Sequence, residues 1–250
     1  MAALSLVMPM AGRGSRFTRE GRSTPKPLIA LCGRPLFTWA VESLRQAVPV
    51  GEMVFVVLSE HIRDHRIDEI IGARYPTARL VVLDAVTSGA AETAALGVAA
   101  LESAGPFAVN DCDHAFRPRD LPGLVAALQQ DAAGALVGFA SDNPAYSYVR
   151  LNPAGEVCAT AEKKVIGPYA IAGCYLFAGR AAFLTRFETY RRACPYPELF
   201  VSGLYDAMAR DGERVLFQPL DRHVSFGTPE ELAGVTADQL AFLGAEANGR

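Results

Sequence analysis

The chain has 250 residues, half of them apolar and a fifth charged, with a formal net charge of −3 and a pI near 5.8. That length supports one large α/β domain or two small ones, and the composition is that of an ordinary soluble globular protein. The charge balance argues against a general binder of nucleic acid or of acidic membranes, which would carry a basic stripe, but it is compatible with a local basic site for one anion. Five cysteines (Cys32, Cys112, Cys158, Cys174 and Cys194) are odd in number, widely spread and form no CxxC pair. A disulfide scaffold and a zinc site are therefore not expected, and the usage points to a reducing compartment, the cytoplasm. The start, MAALSLVMPMAG, lacks a basic n-region and a long enough apolar run for a secretion signal. Nowhere do 18 apolar residues run together, so no membrane span is expected.

In chain order, apolar runs rich in Val, Leu and Phe at 4–8, 53–58, 79–84, 106–111 and 134–140 read as strands covered on both faces. Helical segments fall between them at about 35–47, 60–74, 89–103 and 119–131. This alternation predicts right-handed crossovers and a mostly parallel sheet sandwiched by helices. The style changes after 141. YSYVRLN, EVCATAEK and YAIAGCYLF follow in succession, with NPAG (152–155) as a hairpin turn. Helices are expected near 179–193 and 198–211, then RVLFQPL, then SFGTPEEL and a last helix over 229–246. TPEE is a good helix start, with Thr228 as N-cap, Pro229 at N1 and Glu231 at N3. No repeat or linker interrupts the chain, so the expectation is a single domain over 1–250, with a nucleotide-binding half over about 1–140 and an acceptor half over about 141–250. The last helix carries enough Leu, Val and Phe to pack on the core or on a second subunit, which leaves a homo-oligomer open.

The loop after the first strand holds the strongest motif, MPMAGRGSRF (8–17) followed by PKPL (25–28). Ligands of open α/β sheets bind outside the carboxyl ends of the strands. Gly12 and Gly14 let backbone N–H groups approach a phosphate closely. Arg13 and Arg16 offer planar charged forks, and Lys26 adds a compact charge on a segment stiffened by Pro25 and Pro27. A P-loop is excluded because GxxxxGK[ST] is absent, and a dinucleotide fingerprint because Phe17 stands where its third glycine belongs. At 111–113, DCD ends the fourth apolar strand, and its two carboxylates at i and i+2 leave on one side, toward the crevice. Their hard oxygens suit Mg²⁺.

G-x-G-S-R followed by P-K-P-L after an N-terminal strand resembles the signature of the sugar-phosphate nucleotidylyltransferases, the NTP-transferase superfamily. TSGAAET (87–93), NDCDH (110–114), SYVRLNPAGEVCATAEKK (147–164), AIAGCYLF (170–177) and FGTPEEL (226–232) extend the resemblance in matching order. The chain is most similar to small bacterial members associated with capsule or polysaccharide synthesis. The resemblance implies a Rossmann-like, glycosyltransferase-A-like mixed sheet, mostly parallel, with helices on both faces. It implies an NTP site at Met10, Ala11, Gly12, Arg13, Gly14, Ser15, Arg16 and Lys26, with Ser88 and Gly89 against the base and Asp111 nearby. It implies an acceptor site at Glu162, Lys163 and Gly173, with Tyr148 and Tyr175 as further candidates against a prior of aromatic core packing. It also implies Mg²⁺ on Asp113, with Asp111 as a second ligand, and a catalytic set of Arg16, Lys26 and Asp113. His114 is as well explained by a structural hydrogen bond as by a substrate contact.

One position departs from the pattern. Relatives usually carry a second metal-binding aspartate two residues before the GTP glycine, where this chain has Ser225. Asp111, Asp221 or His223 are candidates to compensate. The expected reaction is transfer of NMP from an NTP to a sugar phosphate or a similar phosphorylated or phosphonate acceptor, with release of pyrophosphate. Two alternatives come from other classes. One is a metal-dependent glycosyltransferase using Asp111-Cys112-Asp113 as a DxD motif, which would have no use for the triphosphate loop. The other is a non-catalytic nucleotide-sugar-binding regulator, motivated by Ser225. Neither the base nor the acceptor is legible in the residues.

Overall fold

The computed structural model describes residues 3–244. Strand β1 (Leu4–Pro9) leads into the glycine–arginine loop and helix α1 (Ser15–Arg19), and a single 3₁₀ turn covers Lys26–Leu28. A two-residue hairpin, β2 (Ala30–Leu31) and β3 (Arg34–Pro35), precedes α2 (Leu36–Arg45). Then come β4 (Val50–Leu58), α3 (Ser59–His65), α4 (Ile67–Arg74), β5 (Arg79–Leu83), α5 (Ala90–Ala99), β6 (Phe107–Asn110), β7 (His114–Pro118) and α6 (Leu121–Leu128). The second half contributes β8 (Gly134–Ala140), β9 (Ser147–Leu151), β10 (Val157–Glu162), β11 (Tyr169–Phe177), α7 (Arg180–Ala193), α8 (Val201–Arg210), β12 (Val215–Ser225), α9 (Pro229–Gly234) and α10 (Ala237–Leu240).

The main sheet runs β5-β4-β1-β6-β11-β8-β12-β7, with β9 and β10 attached beside β11. The four strands from β5 to β6 are mutually parallel, as short crossovers through helices require. Strand β11 enters antiparallel between β6 and β8, and β8 is parallel to β12. The result is a mixed α/β sheet covered on both faces. On one face Leu4, Leu6, Phe55 and Val57 pack with Phe37 and Val41 of α2, Ile71 of α4 and Leu124 of α6. On the other, Val7, Val54 and Val109 pack with Ala94 and Val98 of α5, Phe187 of α7 and Leu204 of α8. Alternate residues of β1 thus serve opposite cores, the period of two expected of a strand buried on both sides.

Three differences from the sequence reading have local causes. The segment read as one helix over 60–74 is two, α3 and α4, because Arg66 takes a left-handed conformation (φ 52°) between them. The stretch after DCD is a strand, β7. It pairs antiparallel with the second part of β12, so that His114 lies opposite Ser225 and Phe116 opposite His223. The last helix is broken into α9, α10 and a 3₁₀ turn over Ala241–Leu243, with Val235 extended after α9; residues 245 and 246 of the expected helix lie outside the described residues. Leu232, Leu240 and Leu243 pack on Phe17, Trp39 and Phe226 of the same chain, so this segment closes its own core. NPAG forms the expected β9–β10 turn, and Thr228 and Glu231 form the expected capping box.

Helix α5 lies unusually near the sheet at Gly97. A Cβ there would come within 2.5 Å of a Val7 methyl and 2.8 Å of a Val56 methyl. Because both valines are fully buried, they have little room to yield. Gly97→Ala is therefore expected to destabilise the protein by about 1–3 kcal/mol despite alanine's better helix propensity, read as a lower midpoint in urea unfolding.

Candidate active site

At the end of β1 the chain turns into the crevice. Met10 and Ala11 are buried, and the Met10 N–H donates to the Val56 carbonyl at 2.8 Å, which fixes where the loop begins. Gly14 has φ 58°, and a Cβ on it would stand 3.0 Å from the Lys26 Cβ. Glycine at 14 thus serves both a left-handed turn and the close approach of the lysine segment. Phe17 is buried against Trp39 and Phe226, so α1 is anchored while Gly12, Arg13, Ser15 and Arg16 stay exposed.

DCD meets this loop from β6. Cys112 points into the core, where burial pushes its thiol up to about 12. Its neighbours Asp111 and Asp113 line a cavity of about 170 Å³ together with Arg16, Tyr146, Gly173, Tyr175, His223, Ser225 and Glu231. The Lys26 ammonium donates to Asp113 Oδ2 across the mouth of the site. Burial opposes both charges, but the attraction wins. Lys26 is held above the ordinary lysine range and Asp113 below the ordinary carboxylate range. Asp111 goes the other way. Burial, then the neighbouring Asp113 charge, push it up to about 7. Gly173, in a bulge of β11 with φ 71°, accommodates that carboxylate: a Cβ there would lie 2.7 Å from Asp111 Oδ2, and its carbonyl accepts the Asp111 N–H at 2.8 Å.

The position where an aspartate was expected is rebuilt differently. Ser225 Oγ donates to Glu231 Oε2 at 2.8 Å, and the same oxygen accepts the N–H groups of Gly227 (3.0 Å) and Thr228 (3.1 Å). Glu231 Oε1 takes the Tyr146 hydroxyl at 2.5 Å. Asp113 and Glu231 flank Gly227, whose missing Cβ would lie 2.5 Å from one carboxylate and 3.5 Å from the other. The carboxylate near Ser225 is therefore Glu231. Asp221 is not at the site; it pairs with Arg119 at 3.2 Å on the exposed part of β12. His223 stacks on Phe139, ring centroids 3.9 Å apart. Burial lowers its pKa to about 3 and that of His114 to about 4, so both are neutral near pH 7. His114 Nε2 meets Asn110 Oδ1 at 3.0 Å, the structural bond, while Nδ1 is buried without a partner beside the cavity.

Of the other predicted residues, Glu162 accepts the hydroxyls of Ser147, at 2.5 Å, and Ser202, which hold it at the end of β10. Lys163 has φ 51° and its ammonium lies 5.6 Å from the Phe200 ring centre. Tyr148 is a correction. It is fully buried and its hydroxyl donates to the Asn143 carbonyl, so the cavity wall is formed by its neighbours Tyr146 and Ser147 instead. At Gly89 the space a side chain would fill holds the Leu199 backbone, 2.5 Å from the Cβ position, so the chain itself requires the glycine there. Ser88 does not cap α5; its carbonyl accepts the Leu199 N–H. Sequence reasoning missed Tyr146 and the second role of Glu231. The capping-box pattern did point to Glu231, though only as a helix start.

Among the described residues no group of three or more His, Cys, Asp and Glu side chains is placed to hold a metal ion. Of the three carboxylates on the pocket, Glu231 is taken up by its own four donors, which leaves Asp111, unpartnered, and Asp113, on its lysine. That set fits Mg²⁺, which binds through one or two carboxylates and completes its shell with water and substrate phosphates. A larger cavity, about 600 Å³ between α7 and α8, contains none of the residues singled out above. Chemistry and size point to different places, and the titratable groups decide for the smaller one.

The model of the MobA-like NTP transferase domain matches residues 7–210. The chain belongs to that family. Two curated relatives are each 29% identical to it. One is a bifunctional enzyme IspD/IspF of Clavibacter michiganensis subsp. michiganensis (164 residues; 64% of this chain, 38% of that protein), and the other a UTP–glucose-1-phosphate uridylyltransferase of Komagataeibacter xylinus (147 residues; 52% and 49%). The chain thus spans less than half the length of either. Two solved structures share the fold. A nucleoside-diphosphate-sugar pyrophosphorylase from Vibrio cholerae RC9 has a TM-score of 0.79 at 24% identity, covering 94% of this chain and 99% of that one. An inositol-1-phosphate CTP transferase from T. maritima has a TM-score of 0.77 at 16% identity, covering 100% and 99%. No helix among the described residues is long and apolar enough to cross a membrane.

Lys26→Ala is expected to cost about 2 kcal/mol in urea unfolding, less than the roughly 3–5 kcal/mol of a fully buried broken pair because both side chains keep some solvent; Asp113→Asn in the same chain should recover part of it. His223, neutral when folded, adds stability above its unfolded pKa near 6.5 that is lost as pH falls toward 3. Asp111 acts in the opposite sense over about pH 4–7, so the difference between variants is the clean quantity. His223→Phe, which keeps the stack, should reduce the loss of unfolding free energy between pH 6.5 and 4.5 by about 1–2 kcal/mol.

Proposed function

We propose that the protein is a nucleotidylyltransferase, which moves NMP from an NTP to a sugar phosphate or a related phosphorylated or phosphonate acceptor and releases pyrophosphate. The observation that carries this reading is the Lys26–Asp113 pair, which joins the glycine–arginine loop to the DCD carboxylates over one cavity shared with Arg16. A glycosyltransferase needs the carboxylates but not the loop. In this reading residues 1–250 work as one domain, with the triphosphate on the 1–140 side and the acceptor on the 141–250 side. Surface polysaccharide synthesis in the cytoplasm is the setting we propose.

The chemistry needs positioning and charge neutralisation more than covalent help. Backbone N–H groups of the loop and the Arg16 guanidinium hold the triphosphate, and Lys26 stands toward the α-phosphate, kept protonated by Asp113. Asp113 and Asp111 would hold Mg²⁺, which supplies charge neutralisation on the phosphates. Lys163 and Glu162 hold the acceptor, whose phosphate oxygen attacks the α-phosphorus. That oxygen is already ionised near neutral pH, so no general base is required.

Pyrophosphate release with Mg²⁺ should be measured for each common NTP against sugar 1-phosphates, polyol phosphates, and aminoalkyl phosphates and phosphonates. A productive pair is expected. Arg16 is exposed, so Arg16→Ala should keep the wild-type circular dichroism while losing about ten- to a hundredfold in turnover, as befits removal of charge-assisted contacts to phosphate. Undiminished release in both Arg16→Ala and Lys26→Ala would overturn the assignment.

A further inference from the structure

Glu162 and Lys163, the acceptor pair of the proposed reaction, stand at the end of β10, where a charged strand end is ordinarily free to turn in solvent. One short stretch of chain, residues 196–202, meets both of them. Ser202, in the first turn of α8, donates to Glu162 Oε1. The Glu162 N–H donates to the Tyr196 hydroxyl at 3.5 Å. The Lys163 ammonium lies 5.6 Å from the Phe200 ring centre, and the Tyr196 and Phe200 rings cross at 80° with their centres 5.8 Å apart. Ser202 is itself tied to β10. Its carbonyl accepts the Thr160 hydroxyl at 2.7 Å, and Asp206, one turn further along α8, accepts the Thr160 N–H at 3.3 Å. Thr160 and Glu162 are two residues apart on the strand, so both face α8. Ser202 and Thr160 are 1% and 5% exposed. A buried hydroxyl that donates to a carboxylate fixes the direction of that carboxylate, which apolar packing alone would not do.

The same stretch reaches the nucleotide side. Between Tyr196 and Phe200, the Leu199 N–H donates to the Ser88 carbonyl at 3.0 Å, and the Leu199 carbonyl accepts the Ala91 N–H at 2.8 Å. These two bonds straddle Gly89, where a Cβ would collide with the Leu199 backbone. The proposed base contacts, Ser88 and Gly89, and the acceptor pair are thus fastened to one piece of backbone. Glu162 also belongs to the reacting space: its charge acts on Asp111 and Tyr175, which line the active cavity. Both serine hydroxyls land on its Oε1, and among the described residues its Oε2 accepts no hydrogen bond. We infer that residues 196–202 are a positioning clamp, in which Ser202, Phe200 and Tyr196 aim Glu162 and Lys163 at the phosphorylated acceptor while Leu199 sets their distance from the nucleotide loop. This rests on Glu162 and Lys163 as acceptor residues and adds Ser202 and Phe200 as positioning residues that act through them.

The test is calorimetric titration of the whole protein with each common NTP, and with sugar 1-phosphates, polyol phosphates and aminoalkyl phosphates, each alone and beside an α,β-methylene NTP, which cannot react. Ser202→Ala is expected to weaken acceptor binding by about tenfold, the worth of one hydrogen bond to a charged group, and to leave NTP binding unchanged. Ser202→Thr should recover part of the loss, and Phe200→Leu should act in the same direction as Ser202→Ala. Thr160→Val removes a buried bond of the same contact but none to the Glu162 carboxylate, so it should lower the urea midpoint while acceptor affinity holds. Unchanged acceptor binding in both Ser202→Ala and Phe200→Leu overturns the inference, as does an equal loss in Thr160→Val, which would report a merely structural contact. If the wild type binds an acceptor but no NTP, the nucleotidylyltransferase reading fails and the clamp is decided by Ser202→Ala. If it binds both and the two variants match it, the reading holds and the clamp fails. A wild type that binds no phosphorylated acceptor overturns the clamp and the acceptor assignment together.

Discussion

Everything at the site depends on one ion pair. Lys26 and Asp113 are 87 residues apart in sequence. Their attraction draws the loop after β1 against the end of β6, where a parallel sheet opens its crevice. Without the lysine, Asp111, Asp113 and Glu231 would crowd one small space. With it, Asp113 stays ionised while Asp111 absorbs the electrostatic cost in a raised pKa. Two carboxylates in one strand end thereby acquire different characters through surroundings alone. Gly14 and Gly173 are the backbone conditions for this arrangement, each removing a Cβ from the path of one of the converging groups.

Glu231 is the second organiser. A helix cap ordinarily satisfies orphan N–H groups and ends there. Here the same carboxylate also receives Ser225 and Tyr146, so the start of α9, the end of β12 and the segment before β9 meet on four hydrogen-bond donors. The replacement of an expected aspartate by Ser225 is thus not a gap. The carboxylate that Ser225 meets belongs to Glu231, six residues along the chain, and the serine is a donor to it.

The parallel strands, the loop and the spacing of the DCD carboxylates were legible because each is local: continuous apolar runs, a glycine-rich turn, a period of two. What was not legible depends on pairing between distant segments. Strand β7, short and carrying His114 and Arg117, looks like a loop until β12 pairs with it. That pairing alone brings Ser225 and Glu231 beside Asp113. Tyr146 and Tyr148 are two residues apart, a spacing that would put both on one face of a strand, but Tyr146 precedes β9, and it is the one that meets the crevice. Gly89 looks like room for a ligand, yet the Leu199 backbone fills that room. An arrangement of glycines does not say whether the visitor is a substrate or another part of the chain.

The double duty of Glu231 also shapes how this sequence can drift. In a protein whose cap residue serves the helix alone, that residue can change alone. Here a serine-to-aspartate substitution at 225 would place a second negative charge where a hydroxyl now donates at 2.8 Å, against a carboxylate already committed to two backbone amides and a tyrosine. A change at either position leaves the other's hydrogen bond unmet. Ser225 and Glu231 should therefore be inherited together, as one unit with two addresses in the chain.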